Sequence, residues 1–296
     1  MMQKISFLDQ IAKNKRNSIF LTIFVVAFVA AIVYLIIRLL FPGLALIFLA
    51  LALAIMISHA YISYNYGDRI ILKAVHAKPA DPVQHAYLIN TVEGLSIAAG
   101  VPTPKVYVME DDEINAFTCG KDPKHASITV TTGALKNLNR TELEGVVGHE
   151  MSHIANYDVR FMTLVAVLVG LIAILSYMLL RSYRFVREEE REKGIGLLIV
   201  VGFLLAIFAP IASRLVQAMI SRRREYLADA GGAQLTRYPE GLASALEKIK
   251  NINQGKMKVS ESISHLFISD PAHTALDDIF ATHPPLTKRI EILRAM

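Results

Sequence analysis

Two histidines and a glutamate stand together in "VVGHEMSHIAN", residues 146–156. On a helix, residues four apart lie on one face, one turn apart, so His149 and His153 can present both imidazoles to a single ion. Glu150 then sits about 100° further round, next to such an ion without being forced onto it. Two neutral nitrogen ligands, an open position for water and a carboxylate to accept the proton of that water are what a hydrolytic zinc site requires. The chemistry implied is metal-assisted hydrolysis of a peptide bond, with Zn²⁺, one per chain, as the cofactor.

A catalytic zinc site normally takes a third protein ligand. One motif class supplies a further histidine six residues past the second, after a glycine. Here those positions hold Val159 and Asn156, so that class is excluded. A glutamate on a later helix remains. Glu188, Glu189, Glu190 and Glu192 cluster in a loop between two apolar runs, and Glu240 and Glu247 have no partner that supports the role. Glu225, in "SRRREYLADAGG", has Asp229 four residues on. Glu225 is therefore the expected third ligand. Asp229, on the same helix face, is placed to accept a hydrogen bond from the far nitrogen of a ligating histidine.

The helix carrying the histidines needs a start and a packing face. Thr141-Glu142-Leu143-Glu144 has the spacing of a capping box, and Leu143, Val146, Val147, Ile154 and Ala155 form one apolar stripe. Upstream, Asp81-Pro82 reads as the N-cap and first residue of a helix that Gly100 closes. "PKVYVM" (104–109) and "ASITVTT" (126–132) read as strands, with "INAFTCG" between them as a candidate edge. In that edge Asn115, Ala116 and Phe117 either hold a substrate backbone by strand addition or form a plain structural strand. Asn156 either helps to hold the active-site helix or simply ends it.

The composition, 53% apolar with positive mean hydropathy and no Trp, is greasier than a soluble domain of 296 residues needs, and so points to a membrane protein. Four apolar runs account for it: 17–37, 39–67, 161–180 and 194–213. Each is long enough to cross a hydrocarbon core of ~30 Å as a helix. The first two form a membrane hairpin turning at Arg38-Pro42-Gly43, and the first run is too long for a cleaved signal peptide. The third and fourth are either a second membrane pair or a helical pair buried in the catalytic domain. Lys4, Lys13, Lys15 and Arg16 before the first run, Arg69, Lys73 and Lys78 after the second, and Arg214 and Arg222-Arg223-Arg224 after the fourth place those segments in the cytoplasm. With two crossings or none between them, Glu225 lies on the same side as His149. The net charge of +5, with no basic stripe interleaved with aromatics, gives no indication of a nucleic-acid partner. The single cysteine, Cys119, excludes an intrachain disulfide.

The expected architecture is mainly α with a small β-sheet: an integral membrane protein of four transmembrane helices with a cytoplasmic zincin-like domain. Residues 1–67 form the tail and hairpin, 68–160 the first part of the catalytic domain, 161–213 the second pair, and 214–296 the second part. Taken together, the N-terminal hairpin, "NAF" at 115–117, "GHEMSHIAN" at 148–156, "SRRREYLADAGG" at 221–232 and "THPPLTKRI" at 282–290 resemble the HtpX-type membrane zinc metalloproteases, gluzincins related to the CAAX prenyl proteases. The resemblance covers nearly the whole chain. It implies zinc on His149, His153 and Glu225, Glu150 as the base, and proteolytic quality control of membrane or misfolded proteins at a bacterial inner membrane. Its pattern carries a small residue where this chain has Cys119. His283 either donates to the developing oxyanion or caps a helix before Pro284-Pro285, and Arg289 is set to pair with an acidic group. Competing readings are a CAAX-type prenyl protease, whose chamber needs more than four membrane helices, and a scaffold with a structural, four-ligand zinc, which leaves Glu150 without a purpose. His59, among Tyr61, Tyr64 and Tyr66, reads as an interfacial histidine, and 252–280 as a substrate-gating loop.

Overall fold

The computed structural model describes residues 45–167, 222–269 and 284–296, with isolated positions at 16, 19, 20, 23, 27, 34, 43 and 271. Most of the first run, its turn at 38–42, the 181–193 loop, the fourth run, all but 161–167 of the third, and His283 lie outside the described residues.

The first described helix, α1 (Ala45–Ala74), changes character along its length. Up to residue 62 it presents Leu46, Ile47, Leu51, Ile55, Ile57, Tyr61 and Ile62 outward; from Ser63 onward it buries Ser63, Ile71 and Leu72 in the folded domain. Among the described residues it is the one helix long and apolar enough to cross a membrane, over Leu49–Ala74. Phe161–Val167, the start of the third run, is helical and buried.

A four-stranded mixed sheet follows, built from β1 (Lys78–Pro79), β2 (Lys105–Met109), β3 (Ala116–Gly120) and β4 (Ala126–Thr131) in the order β1-β2-β4-β3. β2 and β4 are parallel, while β3 runs antiparallel to β4 with Ala116 opposite Val130 and Gly120 opposite Ala126. Helix α2 (Ala86–Ala99) precedes β2 and ends at Gly100, whose φ of 66° lets its N–H return to Ile97 and Ser96. Its start is later than Asp81-Pro82 suggests. The Asp81 carboxylate accepts from the N–H groups of Val83 and Gln84 and caps a separate turn ahead of the helix.

After the short α3 (Thr132–Asn137) comes α4 (Arg140–Ala155), which carries the histidines. Its capping box is formed by Asn139 and Glu142, not by Thr141 and Glu144. Asn139 has the extended backbone an N-cap requires, whereas Thr141 is already inside the helix. Leu143, Val146, Val147, Met151 and Ile154 pack into the core with Ile128 and Val130 of the sheet and with Leu242, Leu246 and Ile249. The last three belong to α7 (Pro239–Ile252). α4 does not run straight on towards the third apolar run. It stops at Asn156, Tyr157 takes a left-handed φ of 61°, and a new helix, α5, occupies 158–167.

Helix α6 (Arg222–Thr236) lies against α4 so closely that Gly232 has no room for a side chain and Gly148 has little. A Cβ on Gly232 would stand 2.7 Å from the His149 nitrogen, and one on Gly148 would stand 3.2 Å from the Gly232 carbonyl. Two short elements complete the described chain, α8 (Glu261–Ser264) and α9 (Leu286–Arg294).

Candidate metal centre

The α4–α6 contact brings the polar side of the histidine helix under the carboxylates of α6, and the result is a buried cluster. His149, His153 and Glu225 are each 3% exposed or less. His149 Nε2 lies 3.6 Å from one Glu225 oxygen and His153 Nε2 lies 3.5 Å from the other, too long for hydrogen bonds. The two rings stand edge-on, with centroids 4.8 Å apart and planes at 89°. One donor atom from each of the three residues lies within 4.8 Å of the others, a grouping that could hold a metal ion. Ligands at ~2.0–2.2 Å in a tetrahedron stand roughly 3.3–3.6 Å from one another, so both nitrogen-to-oxygen separations match a tetrahedral edge. His149 Nε2 is buried with no hydrogen-bond partner among the described residues, which fits a position meant for a cation.

Each imidazole is held from behind by its own aspartate. His149 Nδ1 donates to Asp229 at 2.9 Å and His153 Nδ1 donates to Asp158 at 3.1 Å. Both contacts select the tautomer whose Nε2 lone pair faces Glu225. Asp229 is itself gripped by Arg289, fully buried, whose Nε and terminal nitrogen donate to its two oxygens at 2.9 and 2.7 Å. The other terminal nitrogen of Arg289 reaches the Ile268 carbonyl at 2.9 Å and lies 3.9 Å from Glu225. Arg224 stacks on Phe161 at 4.3 Å and approaches Asp158 at 3.8 Å.

Burial in this setting moves the titrating groups in different directions. Burial holds His149 neutral, lowering it to about 4 against the pull of Asp229. Burial would lower His153 too, but the Asp158 hydrogen bond and the charges of Glu225, Asp158 and Glu150 outweigh it and push it up to about 9. Burial raises Glu150 to about 7, with Glu225 adding to the effect. Asp229, which burial alone would raise, is kept well below the usual carboxylate range by Arg289 and His149. A cavity of about 820 Å³ opens elsewhere, between the end of α1, Glu110–Glu113 and Lys256; none of the cluster lines it.

The model of peptidase family M48 matches residues 82–296, which contain every residue of this cluster. The chain belongs to peptidase family M48. It is a metalloprotease, and M48 metallopeptidases are zinc-dependent. The "Protease HtpX homolog" of Dictyoglomus turgidum is 44% identical to it over 296 residues, covering 100% of this chain and 96% of that one. The homolog of Caldanaerobacter subterraneus subsp. tengcongensis is 47% identical over 85% of this chain and 84% of its own. That of Tropheryma whipplei strain Twist is 40% identical over 97% of each. Among solved structures, S. mikatae Ste24p shares the fold at a TM-score of 0.50 and 19% identity, covering 95% of this chain and 66% of its own.

Within this M48 chain the structure brings together His149, His153, Glu225 and Asp229 as the sequence leads one to expect, with Glu150 beside them. Asn156 stands at the end of the histidine helix. It caps α4 and its amide donates to the Ser152 hydroxyl at 3.2 Å. The residue that holds His153 is Asp158, which sequence reasoning missed. Five residues past His153, it would leave the metal face of an unbroken helix, and only the turn at Tyr157 returns it. Arg289 pairs with an acidic group as expected, and that group is Asp229.

At the candidate edge Asn115-Ala116-Phe117 the structure adds a pairing within the chain. β3 is an edge strand, but residues 267–269 already lie along it. Phe267 bridges Phe117 in antiparallel fashion, the Ile268 N–H donates to the Ala116 carbonyl at 2.9 Å, and the Asn115 amide donates to the Ser269 carbonyl at 3.1 Å. The two phenylalanine rings are 4.8 Å apart. The described part of 252–280 is thus docked on the sheet, with Met257, Ile263, Leu266 and Phe267 buried.

Proposed function

We propose that this chain is an integral-membrane zinc endopeptidase that hydrolyses peptide bonds of membrane or misfolded proteins at the cytoplasmic face. The observation that carries the reading is the buried grouping of His149, His153 and Glu225, whose ligand atoms lie within 4.8 Å of one another, with each histidine Nε2 3.5–3.6 Å from a Glu225 oxygen. Three protein donors leave the fourth corner for water, which argues against a structural zinc. The "Protease HtpX homolog" relatives and the outward apolar face of α1 support membrane embedding. The basic residues flanking the apolar runs support a cytoplasmic domain and four spans.

His149, His153 and Glu225 hold the zinc, and Asp229 and Asp158 fix the two rings. The chemistry that zinc supplies there is polarisation of the scissile carbonyl and acidification of a water. Glu150, raised to about 7 by burial, has the affinity to take a proton from that water and pass it to the leaving amine at neutral pH. Substrate binds as a further strand on β3 at Asn115, Ala116 and Phe117, and to do so it displaces residues 267–269 from the edge they occupy.

Glu150→Gln tests the mechanism. The variant keeps about one zinc per chain and loses at least a hundredfold in cleavage of a model membrane substrate. Undiminished cleavage would sink it. Glu225→Ala is expected to lose the metal itself, measured by metal analysis beside the wild type.

A further inference from the structure

The point where α1 leaves its apolar stretch carries a cluster of cations that the peptidase chemistry does not use. Lys121, directly after β3, and Arg160, at the start of α5, both lie on the ring of Tyr64, at 5.8 and 5.6 Å from its centroid. Arg160 also stacks on Tyr157 at 5.7 Å, and Arg69 stacks on Tyr66 at 5.5 Å. The Arg160 Nε donates to the Lys121 carbonyl at 2.7 Å and Lys121 Nζ donates to the Asn65 side chain at 3.1 Å. Among the described residues none of the three cations forms an ion pair, and the nearby Asp122 carboxylate is engaged by His125 at 2.7 Å. Two cations thus sit on the ring of one partly exposed tyrosine, and among the described residues neither forms an ion pair.

Their height on α1 suggests what supplies it. From Leu46 to Tyr64 the helix rises about 27 Å, close to the ~30 Å of a hydrocarbon core. Tyr61, Tyr64 and Tyr66 are 67%, 37% and 46% exposed at that end, where tyrosines mark the level of the headgroups. We propose that Lys121 and Arg160 bind the phosphate of an anionic phospholipid at the surface of the leaflet that α1 enters. This rests on the membrane reading given above. A headgroup in that place ties the end of β3 to the start of α5, the two segments that flank Glu150 and Asp158.

The test uses the full chain, first checked for retention in the membrane after a carbonate wash, then purified in neutral detergent. Phosphatidylglycerol and phosphatidylcholine are titrated and bound lipid is counted by native mass spectrometry. The wild type should prefer phosphatidylglycerol, and Lys121→Gln with Arg160→Gln should lower that preference about fivefold per cation, roughly 25-fold for the pair. The charge-keeping pair Lys121→Arg and Arg160→Lys should keep it, and the zinc content of all forms should match. Equal affinity for the two lipids in the wild type, or an unchanged preference in the double variant, overturns the site. Should the double variant not survive purification, Lys121→Gln alone decides by the same criterion. Displacement of phosphatidylglycerol by millimolar inorganic phosphate would assign the cations to a soluble anion instead and also overturns it. Release of the wild type by carbonate would count against the membrane reading itself.

Discussion

Asp158→Asn separates two effects that a single mutation at the metal centre usually confounds. Asp158 orients His153 through a 3.1 Å contact, and it also helps to hold that ring protonated up to about 9 when no metal is bound. Only the neutral ring is a ligand, so a metal must first displace the proton. At pH 7 the gap is two pH units, roughly a hundredfold in apparent affinity, and this handicap disappears as the pH rises through 9. The wild type should therefore bind zinc about tenfold more tightly per pH unit over that range, from this group alone.

In Asp158→Asn both contributions of Asp158 vanish while burial and the charges of Glu225 and Glu150 remain, so His153 falls from about 9 towards its ordinary value. The proton handicap at pH 7 shrinks with it. Against that gain stands the loss of an anionic acceptor behind a ligating histidine, typically 10–100-fold in metal affinity. At pH 7 the two effects offset to within about tenfold; above pH 9 only the loss remains, and the variant should be weaker by the full 10–100-fold. Competition against a chromophoric chelator from pH 7 to 9.5 gives the ratio of the two affinities, from which Glu150 and other groups common to both proteins cancel. Parallel curves would refute the proton competition at His153, and equal affinities above pH 9 would refute the orienting role of Asp158.

Gly232→Ala puts a methyl 2.7 Å from the His149 nitrogen and 3.0 Å from the Gly148 carbonyl carbon, backbone that cannot rotate aside. α6 must back away from α4, at a cost of about 1–3 kcal/mol, and a lowered Tm with reduced zinc content is expected; wild-type zinc occupancy would contradict it. Cys119 is fully buried, and burial together with Asp68 raises its thiol far above the ordinary range. It should resist maleimide in the folded protein and react on denaturation, so rapid native labelling would show the core to be more open than described. Zinc uptake should release about one proton per chain at pH 8 and more towards pH 6, read by calorimetry in buffers of different ionisation enthalpy; no release would mean that His153 is already neutral.

Features carried by local spacing were legible in the sequence, and those made by chain reversal were not. His149, His153, Glu225 and Asp229 each follow from four-residue helical spacing, which holds wherever the helix packs. The capping box moved by two residues because Asn139-x-x-Glu142 and Thr141-x-x-Glu144 both satisfy the pattern, and only the extended backbone at Asn139 decides between them. Asp158 depends on a single left-handed residue, Tyr157, which is not a glycine and gives no composition signal. The cover on β3 is a pairing between residues 150 apart, Phe117 and Phe267, beyond the reach of any periodicity. Both β2 and β4 were readable as apolar runs, but their parallel pairing with β3 outside them was not.

Charge balance explains why so polar a cluster is stable at depth, and why its groups titrate where they do. Among the described residues the buried set at this centre comprises four carboxylates, Glu150, Asp158, Glu225 and Asp229, and two guanidiniums, Arg224 and Arg289. With both histidines neutral that leaves two negative charges, which is costly away from water. A divalent cation restores neutrality. Without one, protons are the available substitute, and the two groups that burial and their neighbours push upward are His153, to about 9, and Glu150, to about 7. Below pH 7 those two protons supply the two missing positive charges. The upward shifts that would make Glu150 a competent base near neutrality follow from the net negative charge of the cluster, and a dication bound there would take the place of the two protons.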